Sequence, residues 1–450
     1  MTPDTDHPAR NRRPFPRFSL HYQIFLGMVL GIAAGIAVRL SGLPPEAVQT
    51  VTRWVRPVGD IFMRMLFMTV MPVLVSALVL GVAEIGDIRR VGRIGLRTLA
   101  FTVLVSSIAV LIGIALVHAV RPGESLSAEH RRRLLEQFPL PASAMVPEKS
   151  DGGGILDALV GIVPKNPLED MVRAFDPSYT GGGILAVIFF ALMVGVALAL
   201  CNPEKVRAFK AVLEGLYEVM MRLIGIGMRL APFGVFALLF SLTATLGYAV
   251  VGILSRYVAV VLGALLLHLF GTYSMLLWLF GKTRPGFFYK NTSDVMLVAF
   301  STSSSNATLP TTLRVASDGL GLRRDVSRFV LTLGATANQN GSALYEGITA
   351  LFLAQCFGIP LSWTQQLFVV VLCVLAGVGT AGVPGGSLPA VIMILSGIGV
   401  PAESMGIILG VDRLLDMSRT VVNVEGDLVA AVVVNRFEEI AAAQSRKHIA

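Results

Sequence analysis

Ionised and amide side chains are concentrated in one stretch near the end of an apolar chain, VDRLLDMSRTVVNVEGD at residues 411–427. At roughly 100° per residue of an α-helix, one face within an arc of roughly 100° collects six polar residues. They are Asp412, Asp416, Arg419, Thr420, Asn423 and Asp427. Arg413 lies at the edge of this face, and Glu425 points away from it. The guanidinium of Arg419 suits a carboxylate and the carboxylate of Asp416 suits an ammonium group, so the face can bind an acidic zwitterion.

Other interpretations of this helix remain open at the level of sequence. The helix could lie at the membrane surface, or an ion pair between Asp416 and Arg419 could only hold helices together. A hydrolase could use Asp412 and Asp416 as a dyad, or a serine as nucleophile, but an activated serine needs a base and no histidine is near. An ion channel is a further alternative. Accumulation of a substrate against its concentration gradient distinguishes a transporter from a hydrolase and from a channel. The sequence favours a transporter that is not an enzyme.

The composition is that of a membrane protein. Hydrophobic residues make up 54% of the chain and charged residues 15%, and the mean hydropathy is +0.71. Soluble proteins average roughly 25% charged residues. A bilayer is crossed by about 20 apolar residues in a helix, and only helices and closed barrels can cross it. Long runs with very few charges occur at 22–40, 65–83, 98–120, 182–201, 230–253 and 257–281. The chain is therefore predicted to be an all-α polytopic membrane protein.

Basic residues beside these runs indicate the orientation. They are Arg10, Arg12, Arg13, Arg17, Arg89, Arg90, Arg93, Arg97, Lys205, Arg207 and Lys210. The positive-inside rule places them, with both termini, in the cytoplasm of an integral plasma (cell inner) membrane protein. Arg131, Arg132 and Arg133 oppose the rule, because this orientation puts their loop outside. The net charge of +8 thus indicates a membrane and no nucleic acid. Three scattered cysteines without CxxC spacing predict neither zinc nor disulfides, and no cofactor is expected.

Two interrupted apolar segments point to a binding site at mid-membrane. Residues 293–319 and 365–399 each have short apolar arms around a tip, which is serine-rich in the first and rich in glycine, threonine and proline in the second. Such arms suggest re-entrant hairpins, and a helix interrupted at 334–347 lies between them. Hydroxyls and free N–H groups from Ser303 to Asn306 could take a second carboxylate. An ordinary aqueous loop remains the alternative for the serine-rich tip.

Four motifs give the sequence a family resemblance. AFSTSSSNATLP, LGATANQNGSALYEG, GTAGVPGG and LLDMSRTVVNVEGD occur in this order. In order and spacing they resemble the dicarboxylate/amino acid:cation symporter family, the glutamate transporter homologues, from the first span to about residue 436. The resemblance implies eight transmembrane helices plus two re-entrant helical hairpins in an elevator-type transporter. It also implies a homotrimer in membrane lipid.

The same resemblance implies a division into a scaffold and a moving transport domain, with the second hairpin as the outer gate. The expected boundaries are a cytoplasmic N-terminal tail at 1–19, scaffold helices 1–2 at 20–90, transport-domain helix 3 at 91–120, an extracellular loop at 121–150, scaffold helices 4–5 at 151–250, the rest of the transport domain (helix 6, hairpin 1, helix 7, hairpin 2 and helix 8) at 251–436, and a cytoplasmic C-terminal tail at 437–450.

By position, the resemblance assigns Asp416 to the substrate amino group and Arg419 to the side-chain carboxylate. Relatives that carry C4-dicarboxylates are expected to lack this aspartate, and carriers of neutral amino acids to lack this arginine. Both are present, so the expected substrate is L-aspartate or L-glutamate, with a C4-dicarboxylate as the alternative. The rest of the pocket is expected to include Ser303, Ser304, Ser305, Ser342, Val383, Thr420 and Asn423.

Departures from the family pattern concern the coupling ion. Asn340 replaces an aspartate of one sodium site, whose other positions are Thr102, Val105 and Ser106, and without that carboxylate the dehydration of the cation is not compensated. Gln339 also replaces the family's methionine. A second sodium site retains the side chains of Gly334, Asn338, Asn423 and Asp427.

Glu346 is the candidate for the coupled proton. Proton-cotransporting relatives carry glutamate at this position, and a carboxyl in a low-dielectric site can take up and release a proton near neutral pH. A purely structural role, as a hydrogen-bonded glutamate, remains the alternative. The departures therefore favour proton coupling with weakened sodium sites, while Asp427 keeps sodium coupling open.

Overall fold

A computed structural model describes residues 20–91, 93–138, 163–174, 183–379, 382 and 384–449. Within these residues the regular secondary structure is entirely helical, which confirms the predicted class. The N-terminal tail, the end of the loop at 121–150, the segment before residue 163 and Val383 lie outside the described residues.

The first half of the chain forms long helices and two short ones, at Ala128–Gln137 and Pro167–Arg173. They are α1 (Leu20–Leu40), α2 (Pro45–Val91), α3 (Arg93–Val120), α4 (Ala128–Gln137), α5 (Pro167–Arg173), α6 (Gly183–Leu200), α7 (Pro203–Met228) and α8 (Ala231–Leu246). Next comes α9 (Ala249–Gly281), which contains π-helical turns at Leu267–Thr272 and Leu277–Gly281.

The second half is built of shorter pieces around one long helix. They are α10 (Pro285–Thr302), α11 (Ser305–Arg314), α12 (Arg324–Ala337), α13 (Asn340–Phe357), α14 (Trp363–Gly379), α15 (Leu388–Gly397) and α16 (Leu409–Ile449). The last helix runs past residue 436, where the sequence predicted a separate tail. Its end is rich in alanine and glutamate, which favour helix, and Arg436 pairs with Glu439 one turn on, at 3.3 Å.

Several of these helices are suited to cross a bilayer. In the described part of the chain, α1, α2, α3 and α9 are long and apolar enough, and α7 and α8, bent by 60° relative to each other, form a fifth such unit. The protein is therefore an integral membrane protein. The apolar run at 230–253 does not form one continuous helix, because the chain turns at Gly247 (φ +65°) between α8 and α9. That backbone conformation favours glycine, and an apolar run does not reveal it.

Small residues let α1 lie directly on α8. Gly27, Gly31 and Gly35 follow one another at four-residue spacing on α1. A Cβ atom at Gly31 would lie 2.6 Å from the carbonyl oxygen of Phe236, and the other two positions face α8 just as closely. In lipid, where the hydrophobic effect does not drive helices together, such close backbone packing is what stabilises helix pairs.

Two helical hairpins meet beside a broken helix. The turn between α10 and α11 places Ser303 in the left-handed region (φ +51°). Ser304 caps α11 and donates its hydroxyl to the carbonyl of Gly382, between α14 and α15, at 2.7 Å. The segment between α12 and α13 also contacts the second hairpin, because Gln339 N donates to Gly377 O at 3.3 Å. Three interruptions of helical structure thus converge at one point.

Helix α16 runs through the middle of this assembly. It contacts α1, α3, α9, α10, α12 and α13. Its polar face lies toward α13 and the hairpins. On the other side, Thr292 of α10 donates to the buried carboxylate of Glu425 at 3.0 Å, so Glu425 points away from the polar face as predicted.

Candidate functional site

The centre of the site is a buried arginine. Arg419 is 1% exposed and donates to Asp412 at 3.0 Å and to Asp416 at 2.8 Å. Its guanidinium carbon lies 4.2 Å from the centre of the Tyr345 ring. Such a group is stable in an apolar interior only with charged partners, and the ring face adds attraction. The polar face of α16 is therefore interior, which excludes the surface-helix interpretation.

A second arginine completes the charge balance. Arg413 donates to the other oxygen of Asp416 at 2.9 Å, and the backbone N–H of Gly385 also donates to it, at 3.2 Å. Two carboxylates, Asp412 and Asp416, are thus matched by two guanidinium groups. Asp416 has its hydrogen-bond partners on its own helix and on the second hairpin, so a ligand that binds this carboxylate also affects the hairpin.

Tyr345 is a site residue that sequence reasoning missed. Its hydroxyl donates to Asp412 at 2.7 Å, while its ring lies against Arg419. Asp412, in turn, is an ion-pair partner of Arg419 from two turns away, a pairing that the sequence interpretation did not include. The available signal was helical spacing, because Tyr345 follows Ser342 by three residues and so shares its face of α13.

Asn423 connects α16 to the start of α13. Its side-chain oxygen accepts from the N–H groups of Gly341 at 2.7 Å and Ser342 at 3.3 Å. Its amide nitrogen donates to Gln339 at 2.5 Å and to the Ser342 hydroxyl at 3.2 Å. The structure thus brings together Ser342 and Asn423, two predicted substrate residues. It gives Asn423 a capping role at the break, since the first N–H groups of a helix lack internal partners.

The hairpin tip contributes hydroxyls of two kinds. The Ser304 hydroxyl is engaged by the second hairpin, whereas the hydroxyls of Ser303 and Ser305 are buried and have no partner within the described residues. Buried polar atoms are nearly always satisfied, so these two are available to a ligand. Thr420 donates to the Asp416 carbonyl on its own helix at 2.7 Å.

One predicted sodium site has a suitable set of oxygen atoms. Asn338 donates to Asp427 at 2.8 Å, and Gly334 lies so close to that carboxylate that no side chain fits. The buried amide oxygen of Asn338 has no partner in the described chain. A carboxylate and a free amide oxygen are ligands that hard cations prefer. The fourth predicted ligand, Asn423, has its oxygen directed to two N–H groups.

The altered site is held together by neutral groups. Asn340 accepts from Ser106 at 2.5 Å and donates to the Tyr273 hydroxyl at 3.2 Å, which donates to the Val422 carbonyl at 2.9 Å. Thr102, one turn before Ser106 on α3, is also buried. The amide of Asn340 thus bridges α3 and α9 and brings no charge to compensate a cation.

Glu346 is isolated. It is fully buried, and neither carboxyl oxygen has a hydrogen-bond partner among the described residues. An ionised carboxylate in such surroundings is very costly, whereas the proton-bound form is tolerated. Glu346 follows Ser342 by one helical turn of α13, so it lies near the Asn423 network.

The contact between the hairpin tips gives a direct test. We expect Gly382→Ala to reduce uptake by roughly tenfold, because a Cβ there would lie 2.7 Å from the Ala335 carbonyl and 2.8 Å from Ser305 Cβ. Gly377→Ala, in the same hairpin, is the matched control, since its nearest neighbours would be 3.5 Å away. Initial rates of uptake into proteoliposomes compare the two, and equal rates would show that the tips need not touch.

A broken helix and two hairpins around a buried charged pair define a secondary transporter. The sequence comparison agrees and is more specific. The chain belongs to the sodium:dicarboxylate symporter family, which it matches over residues 20–437. This is a family of transporters rather than of enzymes.

Curated relatives cover almost the whole chain. The proton/sodium-glutamate symport protein of Bacillus caldotenax is 32% identical over 422 residues, which is 94% of this chain and 95% of the relative. The proton/glutamate-aspartate symporter of Escherichia coli K12 is 30% identical over 423 residues, 94% of this chain and 93% of the relative. Excitatory amino acid transporter 4 of the mouse is 29% identical, covering 94% and 84%.

Proposed function

We propose that this protein is a secondary active symporter that takes up L-aspartate and L-glutamate. The carrying observation is the buried Arg419, paired with Asp412 and Asp416 close to where the hairpin tips and the helix break converge. The names of the relatives support the substrate class, because they specify glutamate and aspartate.

Substrate binding is an exchange of partners within this network. The side-chain carboxylate of the substrate accepts from Arg419 in place of Asp416, and the substrate ammonium group then replaces that guanidinium beside Asp416. The α-carboxylate can accept from the hydroxyls of Ser303 and Ser305. A C4-dicarboxylate would bring two negative charges and no cation for Asp416, so the site favours an acidic amino acid.

Proton coupling through Glu346 is favoured over sodium coupling. Neither carboxyl oxygen of Glu346 has a hydrogen-bond partner among the described residues, so a proton is the counter-ion that suits it. Asn340 is neutral and already hydrogen-bonded on two sides. Sodium coupling remains the second candidate because Asp427 and the free oxygen of Asn338 form a suitable oxygen pair.

The distribution of polar groups supports an elevator mechanism. Every described residue of the proposed substrate and ion sites belongs to α3, to α9 or to the segment from α10 to α16, and none to α1, α2 or α6–α8. A site built within one set of helices can move as a unit past a scaffold formed by the other set. We propose this movement in a homotrimer with eight transmembrane helices, two re-entrant hairpins and cytoplasmic termini.

The test is uptake of labelled L-aspartate and L-glutamate into proteoliposomes, with proton and sodium gradients imposed separately. Accumulation driven by inward protons without sodium is the expected result. Accumulation only with sodium would mean that sodium bound at Asp427, rather than a proton on Glu346, is the coupling ion. Absence of accumulation under either gradient would contradict the assignment of the network around Arg419.

Asn340→Asp is expected to make uptake dependent on sodium, raising the rate at least tenfold when sodium is added at fixed pH. The new carboxylate would lie beside the Ser106 and Tyr273 hydroxyls and the Val422 carbonyl, which together provide the oxygen ligands of a hard cation. Asn435→Asp is the matched control, because it adds a carboxylate at another buried asparagine, beside the Arg323 N–H and Glu439 and outside both ion sites. Uptake by Asn340→Asp that stays independent of sodium would show that this charge does not decide the coupling ion.

A further inference from the structure

A cavity of about 800 Å³ lies away from the transport site, among the end of α1, the start of α2, helix α4 and the end of α8. Four arginines line it: Arg39, Arg53, Arg56 and Arg133. The positive-inside interpretation places this end of the molecule outside, where arginines are unexpected. Arg133, from the arginine run at 131–133 that opposed this rule in the sequence, therefore lines a cavity.

Acidic side chains balance this cavity only in part. Glu136 is the acidic residue in the lining, and it lies 3.6 Å from Arg132. Arg133 pairs with Glu129, and Arg56 lies 3.7 Å from Asp60. Exposed pairs of this kind contribute little, about 0–1 kcal/mol each.

Among the residues that the structure describes, two of the four arginines have no carboxylate partner. Within the described part of the chain, neither Arg39 nor Arg53 forms a salt bridge. The cavity thus has a positive surplus, which attracts an anion. Arginine presents a planar fork that matches the oxygens of phosphate.

Two buried oxygen atoms in the lining have no hydrogen-bond partner within the described residues. They are Oγ1 of Thr52 and Oε1 of Gln137. The threonine hydroxyl can donate to a phosphate oxygen, whereas the glutamine oxygen can only accept. A ligand that satisfies both carries an anionic phosphate and a hydroxyl.

Apolar side chains border the cavity. Leu43 in its lining is 45% exposed, and Leu40 and Trp54, which directly follow the lining residues Arg39 and Arg53, are 66% and 81% exposed. In an integral membrane protein such side chains contact acyl chains, and tryptophan is enriched at the level of the headgroups. These apolar side chains would not stabilise a bound soluble anion, whereas they would contact the acyl chains of a bound lipid.

We propose that the cavity binds an anionic phospholipid whose headgroup carries a free hydroxyl, as in phosphatidylglycerol. Its phosphate is held by Arg39, Arg53 and Arg133, a headgroup hydroxyl donates to Gln137, and the acyl chains lie along Leu40 and Trp54. Basic pockets between membrane helices are suited to lipid headgroups. The site does not depend on the identity of the transported substrate.

The test is titration of the delipidated full-length protein with phosphatidylglycerol and with phosphatidylcholine of the same acyl chains, followed by native mass spectrometry. We expect phosphatidylglycerol to bind at least tenfold more tightly. The triple variant Arg39→Gln, Arg53→Gln, Arg133→Gln is expected to lose this preference. A control triple variant, Arg207→Gln, Arg314→Gln, Arg324→Gln, removes the same charge elsewhere and is expected to retain it.

Glycerol 1-phosphate separates a lipid from a soluble phosphate, since it has the headgroup without acyl chains. Displacement of the lipid by an equal concentration of glycerol 1-phosphate would overturn the lipid assignment, and so would an undiminished preference in the cavity variant. Uptake within twofold of the unmodified protein reports correct folding of each variant. If the triple variant does not fold, Arg53→Gln alone, at an exposed position, is expected to weaken binding of phosphatidylglycerol about threefold, and unchanged binding would overturn the proposal.

Discussion

Arg419→Lys is expected to reduce uptake of L-aspartate and L-glutamate at least 100-fold while the protein still folds. Lysine retains the positive charge beside Asp412 and Asp416, but it lacks the planar fork that bonds both carboxylates and then the substrate. Disrupting a buried ion pair costs about 3–5 kcal/mol, and 1.4 kcal/mol is a factor of about ten. Initial rates in proteoliposomes measure the loss, and monodisperse elution in detergent reports folding.

Arg97→Lys is the matched control for this variant. Arg97 also pairs with a residue of α16, Glu438, at 2.6 Å, but that pair is partly exposed and lies roughly 28 Å along the helix from Arg419. Its uptake is expected to stay within twofold of the unmodified protein. Near-normal uptake by Arg419→Lys would show that a point charge suffices and that bidentate recognition by Arg419 is not part of binding.

Glu346→Gln is expected to abolish the driving force of the proton gradient. Glutamine has nearly the same shape but cannot carry a proton, so uptake becomes independent of pH and substrate no longer accumulates when only protons are supplied. Exchange of internal for external substrate is expected to continue, because in the described part of the chain Glu346 is not among the hydrogen-bond partners of Arg419 or of the hairpin tips. Counterflow and gradient-driven uptake, measured from about pH 5 to about pH 8, distinguish the two activities.

Glu425→Gln controls for the loss of any buried carboxyl. Glu425 is equally buried, but Thr292 donates to it on the opposite side of α16. Its variant is expected to keep the pH dependence of uptake. If Glu346→Gln retained that dependence, the proton role of Glu346 would be wrong, and its burial would be purely structural.

The structure argues against the hydrolase alternative. The hydrolase hypothesis needs Asp412 and Asp416 to act as a dyad, yet both are paired with Arg419, and the first also accepts from Tyr345. Carboxylates paired in this way serve binding rather than proton transfer to a substrate. Membership of a symporter family points in the same direction.

The sequence by itself determined the class of the protein and the polar face of α16. Apolar runs of membrane length and a period near 3.6 are local properties, so they can be counted along a chain. The same holds for the breaks at Ser303 and Asn338, where serine, glycine and asparagine interrupt apolar helices. Motif order added the family, which the comparison confirmed.

Only the tertiary structure decided which polar groups meet. The bond from Ser304 to Gly382 joins residues 78 positions apart, and the one from Asn423 to Gln339 joins residues 84 apart. The sequence also did not predict the partners of Arg413, the contact of the Tyr345 ring with Arg419, or the arginine-lined cavity near α4. Such contacts depend on how helices cross and rotate, which side-chain packing sets across the whole domain and no local pattern records.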